Sequence, residues 1–356
     1  MKDSLNVVTI GCGRICEKHL ASYQSEEVKG TLIAVCDVDE AKAREKGEKY
    51  GVPWYTDYHV MMEKHPETDV IDVMTPSGMH ARHVIDLARY GKHIITEKPM
   101  ALRVEDCDAM IEACEKNGCR LFVVKQNRFN RAVVAARQAV EEGRFGRMVM
   151  GTIRVRWRRD QAYYDQADWR GTWELDGGVM SQQATHHLDL LQWFMGPIES
   201  MQCQTATRLM EIEVEDTAVA ILKFKSGALG AFEATVATRP EDLEGSMSLL
   251  GEKGSVIIGG PAVNKVEYWK FEDSRPEDLE IQQAFSQDVP NVYGHGHLPY
   301  LQKAMLALRN GTPGPVEGAG GKTNINILTA LYESAARGGI PVALDTPVET
   351  ARIGRS

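Results

Sequence analysis

The sequence predicts an α/β protein in which an N-terminal doubly wound parallel sheet is followed by an α+β domain with a large, mostly antiparallel open sheet. Three observations carry this expectation. Over the first 120 or so residues, short apolar runs alternate with helical patterns. A Gly-x-Gly turn follows the first of those runs. Beyond residue 123 the runs lengthen and follow one another with few helices between them. Alternating elements build parallel sheets, and consecutive strands build antiparallel ones. At 356 residues the chain suits two domains of roughly 100–200 residues, expected at 1–122 and 123–356.

Residues 5–10 (Leu-Asn-Val-Val-Thr-Ile) are apolar and β-branched, as a buried strand requires. This run is too short for a signal peptide and soon meets Gly11 and Arg14. Gly11 permits a tight turn, and Gly13 lets the backbone approach a pyrophosphate at a helix N-terminus. The usual third glycine is absent, and Cys16 stands in its place. The second strand, 31–37, ends in Asp37, whose carboxylate can accept from a ribose and would repel a 2′-phosphate, favouring NAD over NADP. Lys-, Glu- and Ala-rich residues 41–50 read as a helix. Strands follow at 70–74, 93–96 and 121–124, with helices over 80–90 and 104–117. In the second half, strands are expected over 149–157, 200–206, 216–225, 228–238 and 246–250, and a helix over 323–336.

Lys plus Arg number 41 against 50 Asp plus Glu, a net charge of −9. That balance argues against nucleic acid or an anionic membrane as partner. No apolar stretch approaches the ~18 residues that span a bilayer. The seven cysteines are odd in number and contain no C-x-x-C pair, as expected for reduced thiols in a cytoplasmic protein. No metal is expected, because neither His186–His187 nor His295 with His297 comes with a third ligand at usual spacing. Within this acidic chain, residues 120–159 hold 11 Lys or Arg against Glu141 and Glu142 alone. Arg154, Arg156 and Arg158 alternate along one strand face, where guanidinium forks could hold phosphate or carboxylate groups. The competing reading is a sheet face balanced by acids elsewhere. Tyr163, Tyr164, Trp169, Arg170 and Trp173 form an aromatic stretch able to stack on a base or sugar.

Two segments carry acid–base potential. Glu97-Lys98-Pro99 follows a strand of the parallel sheet, on the edge where ligands collect, and a partly desolvated lysine there can polarise an alcohol. In the segment 176–189, Gln182, His186 and Asp189 recur at i, i+4 and i+7, one face of a helix. An imidazole near a nicotinamide can move a proton at neutral pH.

With these motifs in place, the chain resembles the Gfo/Idh/MocA family of nicotinamide-dependent sugar oxidoreductases over nearly its whole length. The matching pieces are Gly11-Cys-Gly13 with His19, Thr75-Pro76-Ser-Gly-Met-His80, Glu97-Lys98-Pro99, and Gly177-Gly178 running to His186 and Asp189. The resemblance implies an N-terminal Rossmann domain and a catalytic pair, Lys98 and His186. It also implies a cofactor site of Gly11, Gly13, Arg14, Ile15, Asp37, Thr75, Pro76, His80, Glu97, Lys98 and Gln126. Gln182 stands where many members carry Asp, so Lys98 and His186 must carry the acid–base work. The segments 125–130, 164–173 and 293–297 resemble a subgroup that oxidises the C-3 hydroxyl of UDP-N-acetylglucosaminuronic acid in surface-polysaccharide synthesis. Substrate contacts are then expected from Lys98, Arg156, Tyr164, Trp169, Arg170, Gln182, His186 and Arg239. The resemblance further implies a homotetramer or dimer formed through the open sheet face. The rival activities are oxidation of a free polyol or neutral sugar, and dinucleotide binding without chemistry.

Overall fold

The structure, a computed structural model, describes residues 3–289 and 292–355. The chain forms two compact units, one comprising residues 1–125 and 297–325, the other 126–296 and 326–356.

The first unit begins with β1 (Leu5–Ile10), α1 (Cys16–Tyr23), β2 (Gly30–Cys36), α2 (Glu40–Tyr50), β3 (Trp54–Tyr55) and α3 (Tyr58–Lys64). It continues with β4 (Val70–Val73), α4 (His80–Ala88), β5 (His93–Thr96), α5 (Val104–Lys116) and β6 (Leu121–Val123). All six strands are parallel, in the order β3-β2-β1-β4-β5-β6. The strand order reverses beside β1, which puts the β1–α1 turn at the switch point where open α/β sheets bind ligands. Local chemistry sets the helix starts. Asp39 and Asp57 each accept two backbone N–H groups at the beginnings of α2 and α3, satisfying donors that have no partner inside the helix.

The second unit holds α6 (Arg131–Glu141), β7 (Met148–Arg156), α7 (Gln161–Tyr164), α8 (Val179–Gln182), α9 (Thr185–Met195) and β8 (Ile198–Ala206). Next come β9 (Thr217–Phe224), β10 (Leu229–Thr235), β11 (Glu244–Gly251), β12 (Gly254–Gly259), β13 (Lys265–Phe271) and α10 (Ile281–Phe285). The chain then runs through α11 (His297–Asn310) and α12 (Gly318–Ala336) to β14 (Val342–Ala343). The eight strands lie in the order β13-β12-β11-β7-β10-β9-β8-β14, all antiparallel except β10 with β7. One face buries Ile153, Val155, Ala220, Leu222 and Phe232 against α8 and α9, whereas Val219 and Ile221 on the other are exposed.

The first unit gives way to the second at 125/126, and the second unit is not continuous in sequence. Residues 297–325 return to the first unit, because β6 is an edge strand whose backbone needs partners. The Val123 N–H donates to the Val316 carbonyl (3.0 Å), and Tyr300, fully buried, donates its hydroxyl to the Val123 carbonyl (2.8 Å). Arg120 pairs with Glu317, and Lys125 Nζ reaches Asn324 at 3.0 Å. These partners lie almost 200 residues away in sequence, where local patterns carry no signal.

Replacing Tyr300 with Phe leaves the Val123 carbonyl buried without this donor. Loss of such a bond costs about 1–3 kcal/mol, so Y300F should melt lower than the parent in a thermal denaturation scan at matched concentration.

Candidate active site

In the first unit, Gly11 has φ +99°, and a Cβ there would lie 2.6 Å from the Met74 carbonyl oxygen, so only glycine fits the turn. A Cβ on Gly13 meets nothing within 4 Å. No protein atom therefore demands glycine at this position, and the space leaves the backbone open to a close ligand. The residues fit a pyrophosphate at the start of α1. Asp37 follows β2, its Oδ2 accepting the Cys12 N–H (2.7 Å) and its Oδ1 the Asp39 N–H (2.9 Å). The carboxylate is thus tied to the glycine turn itself. Just beyond it, Val38, Thr56, Tyr58 and Arg82 line a surface groove of about 550 Å³.

The loops after β4 and β5 are joined by His80, whose ring nitrogens lie 2.8 Å from the carbonyls of Thr75 and Pro99. Burial holds this imidazole below its ordinary pKa against the pull of both carbonyls. Lys98 is half-buried between Glu97 and Pro99, both buried. Glu97 accepts from His19 (2.9 Å) and from the Lys98 backbone N–H (3.0 Å), and His19 also bonds Asp72 at 2.7 Å. Donor atoms of His19, Glu97 and His297 all lie within 4.8 Å of one another. Both His19 nitrogens are engaged by carboxylates, so the group offers a divalent ion no vacant His19 lone pair.

In the second unit, His186 is buried on α9, its Nε2 3.1 Å from Gln126 Nε2. The expected continuous helix through Gln182, His186 and Asp189 is broken. α8 ends at Gln182 and α9 begins at Thr185, so the three do not share a helical face. Gln182 donates to Asp176, while Asp189 takes a bidentate bond from Arg128 (2.7 and 2.8 Å), with that guanidinium stacked on Trp193. Asp189 therefore anchors α9. The carboxylate that Gln182 meets, Asp176, is buried and also accepts the Gly171 N–H (2.7 Å).

The arginine-rich stretch meets acids, most of them from distant sequence. Arg156 is enclosed by Glu233 on β10 (2.6 and 2.9 Å) and Glu244 on β11 (2.8 Å). Arg154 faces Glu244, Arg158 pairs with Asp160, Arg159 with Asp242, and Arg144 with Asp273 and Asp278. The charge-balanced sheet face describes these residues better than a phosphate-holding cluster, because strand pairing brings together charges that a local count keeps apart. Arg170 is stacked on Tyr163 and Trp169 and donates to the Tyr163 hydroxyl (2.7 Å). Tyr164 is buried beside a groove of about 510 Å³ that Arg170, Asp165, Asp168, Glu211 and Glu213 also line. Arg239 is exposed and donates to the Thr238 carbonyl (2.7 Å).

Sequence reasoning missed Glu215, which is fully buried and holds the segment leading to His186. Its Oε1 accepts from the Met180 N–H (3.0 Å) and the Tyr332 hydroxyl (2.9 Å), and Tyr332 in turn accepts from the Gly178 N–H (3.1 Å). A side chain at Gly178 would collide with Glu215. The Gly177-Gly178 motif thus has a packing reason. As one acid in the run Glu211-Ile-Glu-Val-Glu-Asp216, it gave no signal of this role. Asp72 did leave a signal, as a lone charge inside the apolar run Val70–Val73.

With this geometry described, comparison with known proteins decides the family. Residues 5–125 match the model of the oxidoreductase family with NAD-binding Rossmann fold, and residues 133–257 match that of the GFO/IDH/MocA C-terminal domain. The chain belongs to the Gfo/Idh/MocA family. Like its relatives it is an NAD-dependent oxidoreductase. A solved structure of the WlbA dehydrogenase from Bordetella pertussis, in complex with NADH and UDP-GlcNAcA, is 40% identical. It covers 97% of this chain and 99% of its own, with a TM-score of 0.91. The Chromobacterium violaceum WlbA structure with the same two ligands is 39% identical over 98% and 97%, with a TM-score of 0.90. Myo-inositol 2-dehydrogenase from Thermotoga maritima is 32% identical over 64% of this chain and 68% of its own length.

Burial raises the Glu215 carboxyl to about 7 from an ordinary 4.5. The unfolded chain loses this proton first, so the charged form penalises folding increasingly between about pH 4.5 and 7, and fully above. Glu215→Gln keeps the acceptor and removes the charge. Its melting temperature should exceed the parent's at about pH 8, and that advantage should shrink towards pH 5.

Proposed function

We propose that the chain oxidises the C-3 hydroxyl of a UDP-linked N-acetylamino uronic acid to a 3-keto sugar, with NAD⁺ as acceptor, in surface-polysaccharide precursor synthesis. The supporting observation is the 40% identity to a protein solved with UDP-GlcNAcA, extending over 99% of that chain. The inositol dehydrogenase match reaches 32% over a shorter span.

In this reading, Gly11, Gly13, Arg14 and Ile15 hold the pyrophosphate, and Asp37 takes the adenosine ribose. Thr75, Pro76, His80, Glu97 and Gln126 shape the nicotinamide end. The chemistry that NAD supplies when bound is acceptance of the hydride from C-3. Lys98 hydrogen-bonds the C-3 hydroxyl oxygen, and the His186 imidazole takes its proton as the carbon–oxygen double bond forms. Gln126, whose side-chain nitrogen lies 3.1 Å from His186 Nε2, holds the ring's orientation. Trp169, Arg170, Tyr164, Gln182 and Arg239 are the candidates for sugar, base or phosphate contacts. Arg156 is not carried into this set, because its donors already face two carboxylates.

The exposed sheet face, where Ile221 lies opposite Ala231 and Val219 opposite Glu233, supports self-association as a tetramer or dimer. All seven cysteines are buried and free, which supports a reducing cytoplasmic setting, and no helix among the described residues is long and apolar enough to cross a membrane.

A second reading, oxidation of a neutral polyol, gains from the pairing of Arg156, which removes one argument for an anionic substrate. Following NADH formation with UDP-GlcNAcA and with myo-inositol separates the two, and turnover of the nucleotide sugar at least ~10-fold above inositol is expected. Equal or reversed rates would favour the polyol. In the same assay, Lys98→Ala should lower kcat by ~10²-fold or more, and unchanged turnover removes Lys98 from the reaction.

A further inference from the structure

We propose that Asp72, His19 and Glu97 form a buried proton-holding relay that positions Lys98 through the Glu97–Lys98 peptide. The proposal deepens the reading of Lys98 as the hydroxyl-binding group and rests on it.

The relay lies within the first unit. Tyr23 donates its hydroxyl to Asp72 Oδ2 (2.7 Å), and His19 Nδ1 lies 2.7 Å from the same oxygen. On the other side of the ring, His19 Nε2 is 2.9 Å from Glu97 Oε1, and Glu97 Oε2 accepts the Lys98 N–H at 3.0 Å. Side-chain exposure is 0% for His19 and Asp72 and 4% for Glu97. Only an imidazolium can donate from both nitrogens. A neutral ring would aim a lone pair at a buried carboxylate oxygen less than 3 Å away.

Asp72 supports the charged ring in a second way. Its other oxygen is buried with no hydrogen-bond partner, so its charge is compensated through His19 and Tyr23. The two carboxylates raise the His19 pKa to about 10 in spite of burial, and the ring holds Glu97 well below the usual carboxylate range. His297 closes the far side of Glu97, its Nε2 3.5 Å from Oε1, and burial lowers its pKa. The other ionisable groups facing the relay are Cys16 and Lys18 on α1, His80 on α4, Lys98 itself and Tyr300 on α11.

Two carboxylates and one imidazolium leave a single buried negative charge beside the Lys98 backbone. Because His19 keeps its proton across neutral pH, that charge is constant and the Lys98 segment is held the same way throughout. Removing the imidazolium leaves two uncompensated acids, one of which must take up a proton at raised pKa. The expectation is therefore a new ionisation.

The test uses the full chain and three preparations: parent, His19→Gln, and the double variant Asp72→Asn with His19→Gln. H19Q should lower kcat about tenfold or more with KM for NAD within about twofold, and its kcat–pH profile should gain an ionisation between about pH 5 and 8. The double variant restores one negative charge. It should lose that ionisation and recover at least about threefold in kcat. A double variant no better than H19Q, with profiles of unchanged shape, would overturn the proposal.

A second readout does not depend on the substrate. With ¹⁵N-histidine labelling, and H19Q for assignment, both His19 ring nitrogens should carry protons at about pH 8.5. A neutral His19 ring, or a stoichiometric divalent ion bound to it, overturns the relay whether or not the nucleotide sugar is turned over. Inactivity of the parent towards that sugar, with the imidazolium intact, would instead indict the substrate assignment.

Discussion

A parallel sheet cannot leave its last strand bare, and much of the first unit follows from how this chain meets that constraint. β6 ends the sheet at Val123, and its backbone is satisfied by Tyr300 from α11 and Val316 from the turn between α11 and α12. Bringing α11 home to this edge also brings its first residue, His297, against Glu97. The strand edge and the acidic residue next to Lys98 thus share one solution. Coverage of an edge is a stability requirement, and here it also completes the surroundings of the Glu97-Lys98 segment.

The charges of the molecule follow the same logic of partners recruited from far away. Arg156 borrows acids from two neighbouring strands, Arg144 from the 273–278 turn, and Asp189 is neutralised by Arg128. Charge-assisted pairs of this kind fix geometry more than they add net stability when partly exposed. In α9 the effect is directional. Arg128 grips Asp189 while Gln126 touches His186 one turn earlier, so a single short segment, 126–129, sets both the seat and the orientation of the helix.

The fold class, five of the six first-unit strands and the glycine turn were legible because each rests on local rules: apolar runs and a backbone that only glycine adopts, whereas the two-residue β3 offered no such run. Lys98 and His186 were legible as motif residues. The break between Gln182 and Thr185 was not, since helical spacing persists through a sequence whose backbone bonds are interrupted by tertiary packing. Nor were the roles of Glu215 and Asp72, whose partners Tyr332 and His19 lie 117 and 53 residues away. The basic stretch misled for the same reason. Counting charges along a chain says little about which ones a sheet will place side by side.

The discontinuity of the first unit bears on how the polypeptide is made. Its six strands emerge from the ribosome well before residues 297–325, and strands β7 to β13 of the other sheet are synthesised in between. Until α11 arrives, β6 presents an uncovered rim and Glu97 lacks His297 beside it. Domain-by-domain maturation in order of translation, common in multidomain chains, therefore cannot finish the nucleotide-binding half first. Nascent chains must carry that half unfinished, and exposed to aberrant pairing, until residues 297–325 have been made.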